Sequence, residues 1–291
     1  MVIAVPDRLP PDPAGPGHLV KARYTPLQVT VPGADEQGSP HHETLRDADS
    51  LGGLPVIVAD LHSALPPILA GLIADRPGAR VVYVMPDGGT LPAWFSMSAA
   101  RLKDAGALAA TVTVGQAFGG DLEAVTLHTG LLAAAHVLGA EAVVVAQGPG
   151  NLGTGTRWGF SGVAAGEAVN AVAALSGRPV ASLRISGADP RERHRGVSHH
   201  SLTAYGRVAL APADVVLPVL DGDLAGLGAW VREQAAELAP PHRLVEVPVD
   251  GLAGALASSP VALSSMGRGP EDDPAYFLAA AAAGRYAATL L

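Results

Sequence analysis

The chain of 291 residues contains no cysteine, and its only lysines are Lys21 and Lys103. The lack of cysteine excludes disulfide bonds, thiolate metal ligands and a cysteine nucleophile. The scarcity of lysine makes 17 of the 19 basic residues arginine, and alanine is abundant. Such a bias is typical of GC-rich genomes. The identity of an arginine is therefore weak evidence for a functional role in this chain, and only its position can indicate one.

The chain also lacks an excess of positive charge and any long apolar run. Its net charge of −8 argues against nonspecific binding to nucleic acid or to anionic membranes. We find neither an uninterrupted apolar stretch of about 18 residues nor the charged start and apolar core of a signal peptide. With 48% hydrophobic residues, the sequence predicts a globular protein, and we expect it by default in the cytoplasm.

From residue 54 onward, short runs rich in β-branched residues alternate with longer segments of alanine and leucine. Continuous apolar strands that alternate with helices are typical of a parallel sheet covered on both faces. We therefore predict a Rossmann-like, doubly wound α/β fold with a mostly parallel sheet of about seven or eight strands and helices on both faces. The seven clearest predicted strands are 55–62, 79–86, 108–115, 141–148, 178–186, 213–219 and 243–249.

Other segments are less regular. Residues 1–50 are predicted to be an irregular N-terminal segment with one strand pair within 19–31, and residues 51–291 a single α/β domain. A helix is expected over 121–139 and a weak strand over 260–263. The tail 271–291 reads as a helix capped by Asp272 or Asp273 and apolar nearly all round. Such a helix is either buried or part of a subunit contact, and on this basis we predict a homodimer.

In open α/β sheets, ligands bind beyond the carboxyl ends of the strands. The loops predicted at that edge contain most of the long polar segments of the chain. They include His62 with Ser63, the turn 87–90 with Asp87, and residues 115–121, 148–162, 189–201 and 264–269.

Residues 148–162 form a glycine-rich loop, GPGNLGTGTRWGFSG. Such glycine density lets backbone N–H groups approach a ligand closely. A dinucleotide fingerprint is disfavoured because the next helix starts too late, and a Walker A motif is excluded because no lysine follows the glycines. We predict a ligand loop, with a structural Ω-loop as the alternative. Its predicted ligand-binding residues are Gly148, Gly150, Asn151, Gly153, Thr154, Gly155 and Arg157.

The segment DPRERHRGVSHHS, residues 189–201, is unusually basic. Arg191, Arg193 and Arg195 alternate, so on an extended chain they would point the same way and, with Arg184, converge on an anion. Ser198 could cap a short helix after it and add N–H groups to the same site. The alternative pairs the arginines with Asp189, Glu192 and solvent.

Three histidines, His194, His199 and His200, lie in the same segment, and His62 could join them from across the crevice. We expect no metal here, because the 194-to-199 spacing fits no regular element and adjacent histidines diverge. General acid–base catalysis by these four residues is the favoured interpretation. A serine hydrolase is disfavoured because no G-x-S-x-G elbow is present.

Four long blocks of the chain resemble, in order, a bacterial family known as domain-of-unknown-function family 3866. They are GHLVKARYTPLQ, LPVIVADLHSALPP, QGPGNLGTGTRWGFSG and ISGADPRERHRGVSHHS. The resemblance implies a further β-rich segment before the first block, which this chain lacks, has trimmed or encodes differently. It implies no reaction.

One motif, read across residues 148–162, is similar to a strand–loop–helix block in the substrate-binding component of glycine and betaine reductases. That similarity implies small amine- or carboxylate-bearing ligands at the loop, without thiol or selenol chemistry.

The favoured function is an enzyme that binds a small anionic metabolite, a carboxylate or a phosphate, between the glycine-rich loop and the Arg/His segment. A non-catalytic ligand-binding or sensor subunit is one alternative, and a metal-dependent hydrolase that uses the histidines is another. The sequence does not indicate which cofactor, if any, the protein uses.

Overall fold

The computed structural model of the chain describes residues 15–291, so the start of the predicted N-terminal segment lies outside the described residues. Twelve strands occur in this part of the chain. They are β1 (Leu19–Lys21), β2 (Val29–Val31), β3 (Pro55–Val58), β4 (Val81–Met85), β5 (Ala110–Thr113), β6 (Leu122–Glu123), β7 (Ala142–Val145), β8 (Arg178–Ser182), β9 (Ile185–Ser186), β10 (Gly196–Val197), β11 (Asp214–Val219) and β12 (Arg243–Pro248).

Nine α-helices occur among the same residues. They are α1 (His42–Leu45), α2 (Leu65–Asp75), α3 (Met97–Asp104), α4 (Leu127–His136), α5 (Ala164–Ala174), α6 (His199–Thr203), α7 (Ala225–Ala235), α8 (Leu252–Ala257) and α9 (Pro274–Ala288). None of them is long and apolar enough to cross a membrane.

Eight strands form one sheet in the order β12-β11-β8-β3-β7-β4-β5-β6, and every neighbouring pair is parallel. The central strands are apolar and buried along their whole length, as in PVIV of β3 and VVYVM of β4. Such strands need cover on both faces, and two apolar cores lie on either side of the sheet. The predicted doubly wound α/β fold is confirmed.

Two local predictions were wrong. The expected helix over 121–139 begins only at Leu127, where the Thr126 side chain accepts a hydrogen bond from Thr129 N, and Leu122–Glu123 is instead the short edge strand β6. Polar Asp121 and Glu123 are tied to β5 through Thr111 and Thr113, which favours pairing over helix. Residues 260–263 form no strand.

Helix α9 is buried inside the chain. It packs on α2 through Gly71 and Gly284, at which a Cβ atom would overlap the backbone of the facing helix. Asp273 occupies the N-cap position, but its carboxylate binds Ser186 Oγ and Gly187 N rather than the helix. Because α2 and the sheet cover this helix, its apolar surface no longer argues for a homodimer, which stays a prediction.

The predicted strand pair within 19–31 is present as the antiparallel ribbon β1–β2. Lys21 holds the ribbon to the sheet domain. Its buried Nζ donates to Ala117 O (3.1 Å) and Ala124 O (2.8 Å) and lies 3.6 Å from Glu123 Oε2. The predicted domain boundary near residue 50 stays a prediction.

All eight strands of the sheet point the same way, so their carboxyl ends share one edge. Strand β3 lies between β7 and β8. The segments that leave these three strands therefore meet, and they contain Asp60, the glycine-rich loop and the Arg/His segment.

Candidate functional site

The Arg/His segment is folded back on itself. Strand β9 pairs antiparallel with β10, and residues Glu192–His194 between them form one turn of 3-10 helix. The prediction that Arg191, Arg193 and Arg195 alternate along an extended chain was therefore wrong. Arg191 binds Asp189, whereas Arg193 lies near Gly155. The antiparallel pairing closes a short loop, which turns His194 inward.

The three histidines of this segment form a compact group, called here the histidine cluster (His194, His199 and His200). Their ring centroids lie 4.9 Å apart for His194 and His199, 4.8 Å for His194 and His200, and 4.4 Å for His199 and His200. One nitrogen of each ring lies within 4.8 Å of those of the other two. The expectation that adjacent histidines would diverge was wrong, because Ser198 begins a helix and both following rings turn back to His194.

Ser198 and Phe160 position the cluster. Ser198 caps α6, as predicted, and its Oγ accepts from His200 N (3.2 Å) while lying 2.7 Å from His194 Nδ1. The ring of Phe160, from the end of the glycine-rich loop, stacks on His200 with a centroid distance of 3.8 Å and an interplanar angle of 3°. The glycine-rich loop and the histidine cluster are therefore in direct contact.

Asp60 faces the cluster from the carboxyl end of β3. Its residue is 3% exposed, and its Oδ2 lies 3.7 Å from His200 Nδ1. Among residues 15–291, neither Asp60 Oδ2 nor His199 Nε2 has a hydrogen-bond partner, although both atoms are buried. Sequence reasoning missed Asp60. The first acidic residue after the continuous apolar run of β3, at its carboxyl end, could have pointed to it.

Burial lowers the pKa of two members of the cluster. The pKa of His194 falls to about 3, through burial and then the positive charge of Arg184. The pKa of His199 falls to about 4, through burial, the neighbouring His200 and Arg193. Both rings are therefore neutral near pH 7. Each neutral ring keeps one nitrogen lone pair.

Beneath the cluster lies an ionic network centred on buried Asp189. Its carboxylate lies 2.8 Å from Arg191 Nη2, 3.1 Å from Arg268 Nη2 and 3.5 Å from Arg184 Nη2. Burial alone would raise the pKa of Asp189, but hydrogen bonds from Arg191 hold it well below its usual range. Arg184 and Arg191 are thus engaged within the protein, as the alternative interpretation expected for Asp189.

The exposed arginines of the two loops differ from this network. In the described part of the chain, Arg157, Arg193 and Arg195 are exposed and form no ion pair. Arg193 lies between the loops, because a Cβ atom at Gly155 would be 3.6 Å from its Nη2, and its charge acts on His199. It is the arginine best placed to meet a ligand at the cluster.

Hydrogen bonds within the glycine-rich loop hold its shape. Asn151 Oδ1 accepts from Gln147 Nε2 (2.7 Å) and Ser161 Oγ (2.9 Å), and Thr154 N donates to Gly159 O (2.7 Å). Gly150 and Gly155 have φ values of 96° and 82°, which disfavour any other residue. This order fits both a preformed ligand loop and a structural Ω-loop.

Two predicted site residues lie elsewhere in the crevice. His62 Nδ1 is 3.1 Å from Tyr83 Oη and its Nε2 is 2.7 Å from Ser96 Oγ, so both ring nitrogens are engaged. Burial lowers the pKa of His62 to about 4. Asp87 Oδ2 accepts from Gln116 N (2.8 Å), which directs it to the neighbouring loop. The structure does not bring either side chain into contact with the histidine cluster.

Comparison with known proteins places nearly the whole chain in one family. The profile of a family described as "Protein of unknown function (DUF3866)" matches residues 1–284. The chain belongs to this family. No curated protein and no solved structure matches it. Membership in the DUF3866 family thus agrees with the resemblance of the four sequence blocks, and the similarity to glycine and betaine reductases stays a prediction.

Proposed function

We propose that the protein is an enzyme that binds a small anionic metabolite, a carboxylate or a phosphate, between the glycine-rich loop and Arg193, directly above the histidine cluster. The observation that supports this best is the position of Arg193, which lies beside Gly155 and His199 without an ion-pair partner in the described residues. A guanidinium with free N–H groups suits a carboxylate or phosphate, to which it can donate two parallel hydrogen bonds.

The charges of the crevice support the choice of Arg193. The deeper arginines and the carboxylates around them balance, three against three, and attract an anion only weakly. They are Arg184, Arg191 and Arg268, against Asp60, Asp189 and Asp273. Arg193, which is exposed between the two loops, therefore supplies the positive charge that an anion would meet there.

Buried polar atoms without partners support an enzyme or binding site rather than a structural core. Leaving a buried polar group unpaired costs about 1–3 kcal/mol of stability. Asp60 and His199 both contain such an atom, and they lie at the edge of the sheet where ligands bind. Proteins keep such costs mainly where function requires them.

Anion binding can be tested on metal-free protein by calorimetric titration with inorganic phosphate and with succinate. We expect Arg193→Ala to weaken binding of the better ligand at least about tenfold, since one bidentate contact is lost. Arg101→Ala is the matched control, because Arg101 is an exposed arginine on α3. Equal affinity in Arg193→Ala and the wild type, or binding of neither anion to the wild type, would contradict the proposal.

Turnover separates an enzyme from a sensor. A panel of phosphomonoesters and small carboxylates is incubated with the protein and followed by proton and phosphorus NMR. For a converted compound, we expect His199→Ala to lose turnover while keeping the affinity of the metal-free wild type, because Arg193 holds the anion. Loss of affinity without any turnover in the wild type would instead favour the sensor.

A further inference from the structure

The histidine cluster places three imidazoles beside Asp60, and His199 Nε2 and Asp60 Oδ2 are buried without a hydrogen-bond partner among the described residues. We propose that His194, His199 and His200 together bind one divalent transition-metal ion of the zinc class. This inference rests on the proposed location of the active site, which the ion would supply with a Lewis acid. Nitrogen atoms that bind one tetrahedral zinc ion at about 2.0–2.1 Å lie roughly 3.3 Å apart. One nitrogen of each ring already lies within 4.8 Å of those of the other two, so small side-chain rotations would bring the three nitrogens to the spacing of a zinc site.

The surroundings of each ring assign Nε2 as its ligand atom. His194 Nδ1 lies 2.7 Å from Ser198 Oγ, so it can donate its proton there and leave the Nε2 lone pair free. His199 Nε2 is buried without a partner among the described residues. His200 Nδ1 faces Asp60 Oδ2 at 3.7 Å. In all three rings Nδ1 is then the protonated nitrogen.

Asp60 then has the place of an orienting carboxylate. Metal-binding histidines usually donate their other N–H to a carboxylate or a carbonyl, which fixes the ring and raises its basicity. Arg184 Nη1 also lies 3.5 Å from His200 Nδ1, at the limit of hydrogen bonding. Donation from Arg184 requires an unprotonated Nδ1. A metal ion at Nε2 would therefore favour the contact with Asp60, and the stacked Phe160 ring would hold His200 in that plane.

The donor set selects the class of metal. Imidazole nitrogen suits zinc, iron, copper and nickel, whereas magnesium and calcium prefer oxygen ligands. Three protein ligands leave a fourth position open, as in catalytic rather than structural zinc sites. His199 is the partly exposed member and the charge of Arg193 acts on it, so an open position beside His199 would lie on the side of the proposed anion site. A dication there would also add positive charge to a region whose deeper charges balance.

The test uses the full chain. Protein purified without chelator is assayed for metals by mass spectrometry, then stripped with EDTA and titrated with Zn²⁺, and with Co²⁺ for its visible absorption. We expect one ion per chain, at least about a 100-fold loss of Zn²⁺ affinity in His199→Ala, and a 10- to 100-fold loss in Asp60→Asn. His128→Ala, at an exposed histidine on α4, should keep the wild-type affinity.

His199→Gln, which keeps polarity at the site, serves as a second variant if His199→Ala folds poorly by circular dichroism. A wild type that binds no stoichiometric Zn²⁺, or a folded His199 variant with unchanged affinity, would overturn the metal proposal. The two proposals fail separately. Loss of phosphate or succinate binding in metal-free Arg193→Ala, with no metal bound by the wild type, would keep the anion site and remove the metal.

Discussion

Two buried carboxylates, one at the amino ends of the strands of the sheet and one at their carboxyl ends, have very different surroundings. Asp214, at the start of β11, accepts hydrogen bonds from Arg178 Nε (2.9 Å), Arg243 Nε (2.7 Å) and Tyr286 Oη (2.7 Å). Asp60, at the end of β3, has no hydrogen-bond partner for Oδ2 within residues 15–291, and its neighbour is an imidazole at 3.7 Å.

We call Asp214 with its three donors the closed network, because its carboxylate is satisfied, and Asp60 with the histidine cluster the open network, because polar atoms there lack partners. At Asp214, two cations and a hydroxyl satisfy the carboxylate within the chain, so the group contributes to stability. Asp60 and the histidine cluster retain unused binding capacity, which a ligand or an ion can fill. The two edges therefore differ in what a mutation should change: stability at Asp214, and binding at Asp60.

The largest expected effect on stability is at the closed network. Asp214→Ala leaves Tyr286 Oη and two guanidinium groups without their acceptor. Because the side chains of Arg178 and Arg243 are 44% and 58% exposed, water can satisfy them, and the loss comes mainly from the tyrosine contact. We expect the free energy of unfolding to fall by about 2 kcal/mol. Urea denaturation measures it, with Asp223→Ala at an exposed aspartate as control.

Acid should weaken the same network. Burial would raise the pKa of Asp214, but hydrogen bonds from Arg243, Tyr286 and Arg178 hold it below its usual value. A depressed folded pKa stabilises the protein above the unfolded value of about 3.9, and this contribution is lost as pH falls below it. Urea midpoints between pH 3 and pH 6 should therefore fall less steeply with acid in Asp214→Asn. Parallel curves for this variant and the wild type would be the contrary outcome.

Asp60→Asn should have a smaller effect, in the opposite direction. In metal-free protein the substitution removes a buried charge that lacks a hydrogen-bond partner at Oδ2 in the described structure. We expect the free energy of unfolding to stay equal or to rise by up to about 1 kcal/mol. A loss of more than about 1 kcal/mol by urea denaturation, similar to that of Asp214→Ala, would remove the contrast between the two edges.

The smallest effect is expected at the mouth of the crevice. Arg193 is exposed and has no ion pair in residues 15–291, so Arg193→Ala should change the free energy of unfolding by less than about 0.5 kcal/mol. The same variant is expected to lose anion affinity. A large loss of stability would instead assign Arg193 a structural role.

The fold could be predicted from the sequence, because it depends on local patterns, and so could the edge of the sheet at which the candidate site lies. Continuous apolar strands indicated the parallel sheet, and the polar loops after them indicated its ligand edge. The arrangement within the site could not be predicted. The inward turn of His194 depends on the β9–β10 pairing, and the contact of Phe160 with His200 depends on two loops that are distant in sequence.

Asp60 was missed because the predicted strand 55–62 included it, whereas β3 ends at Val58 and leaves Asp60 in the segment that follows. Arg191 was assigned to a ligand in the favoured interpretation, although the alternative paired it with Asp189, because the turn that brings the two side chains together has no signature in the sequence. In both cases the chemistry depends on three-dimensional contacts between residues whose identities alone are unremarkable in this arginine-rich chain.

The most direct test of the open network is an anomalous-scattering map at the zinc and iron absorption edges, from crystals grown without chelator. We predict a peak about 2.0–2.3 Å from Nε2 of His194, His199 and His200, with Asp60 turned to His200 Nδ1. A map without a peak, in which ordered waters satisfy both Asp60 Oδ2 and His199 Nε2, would contradict it.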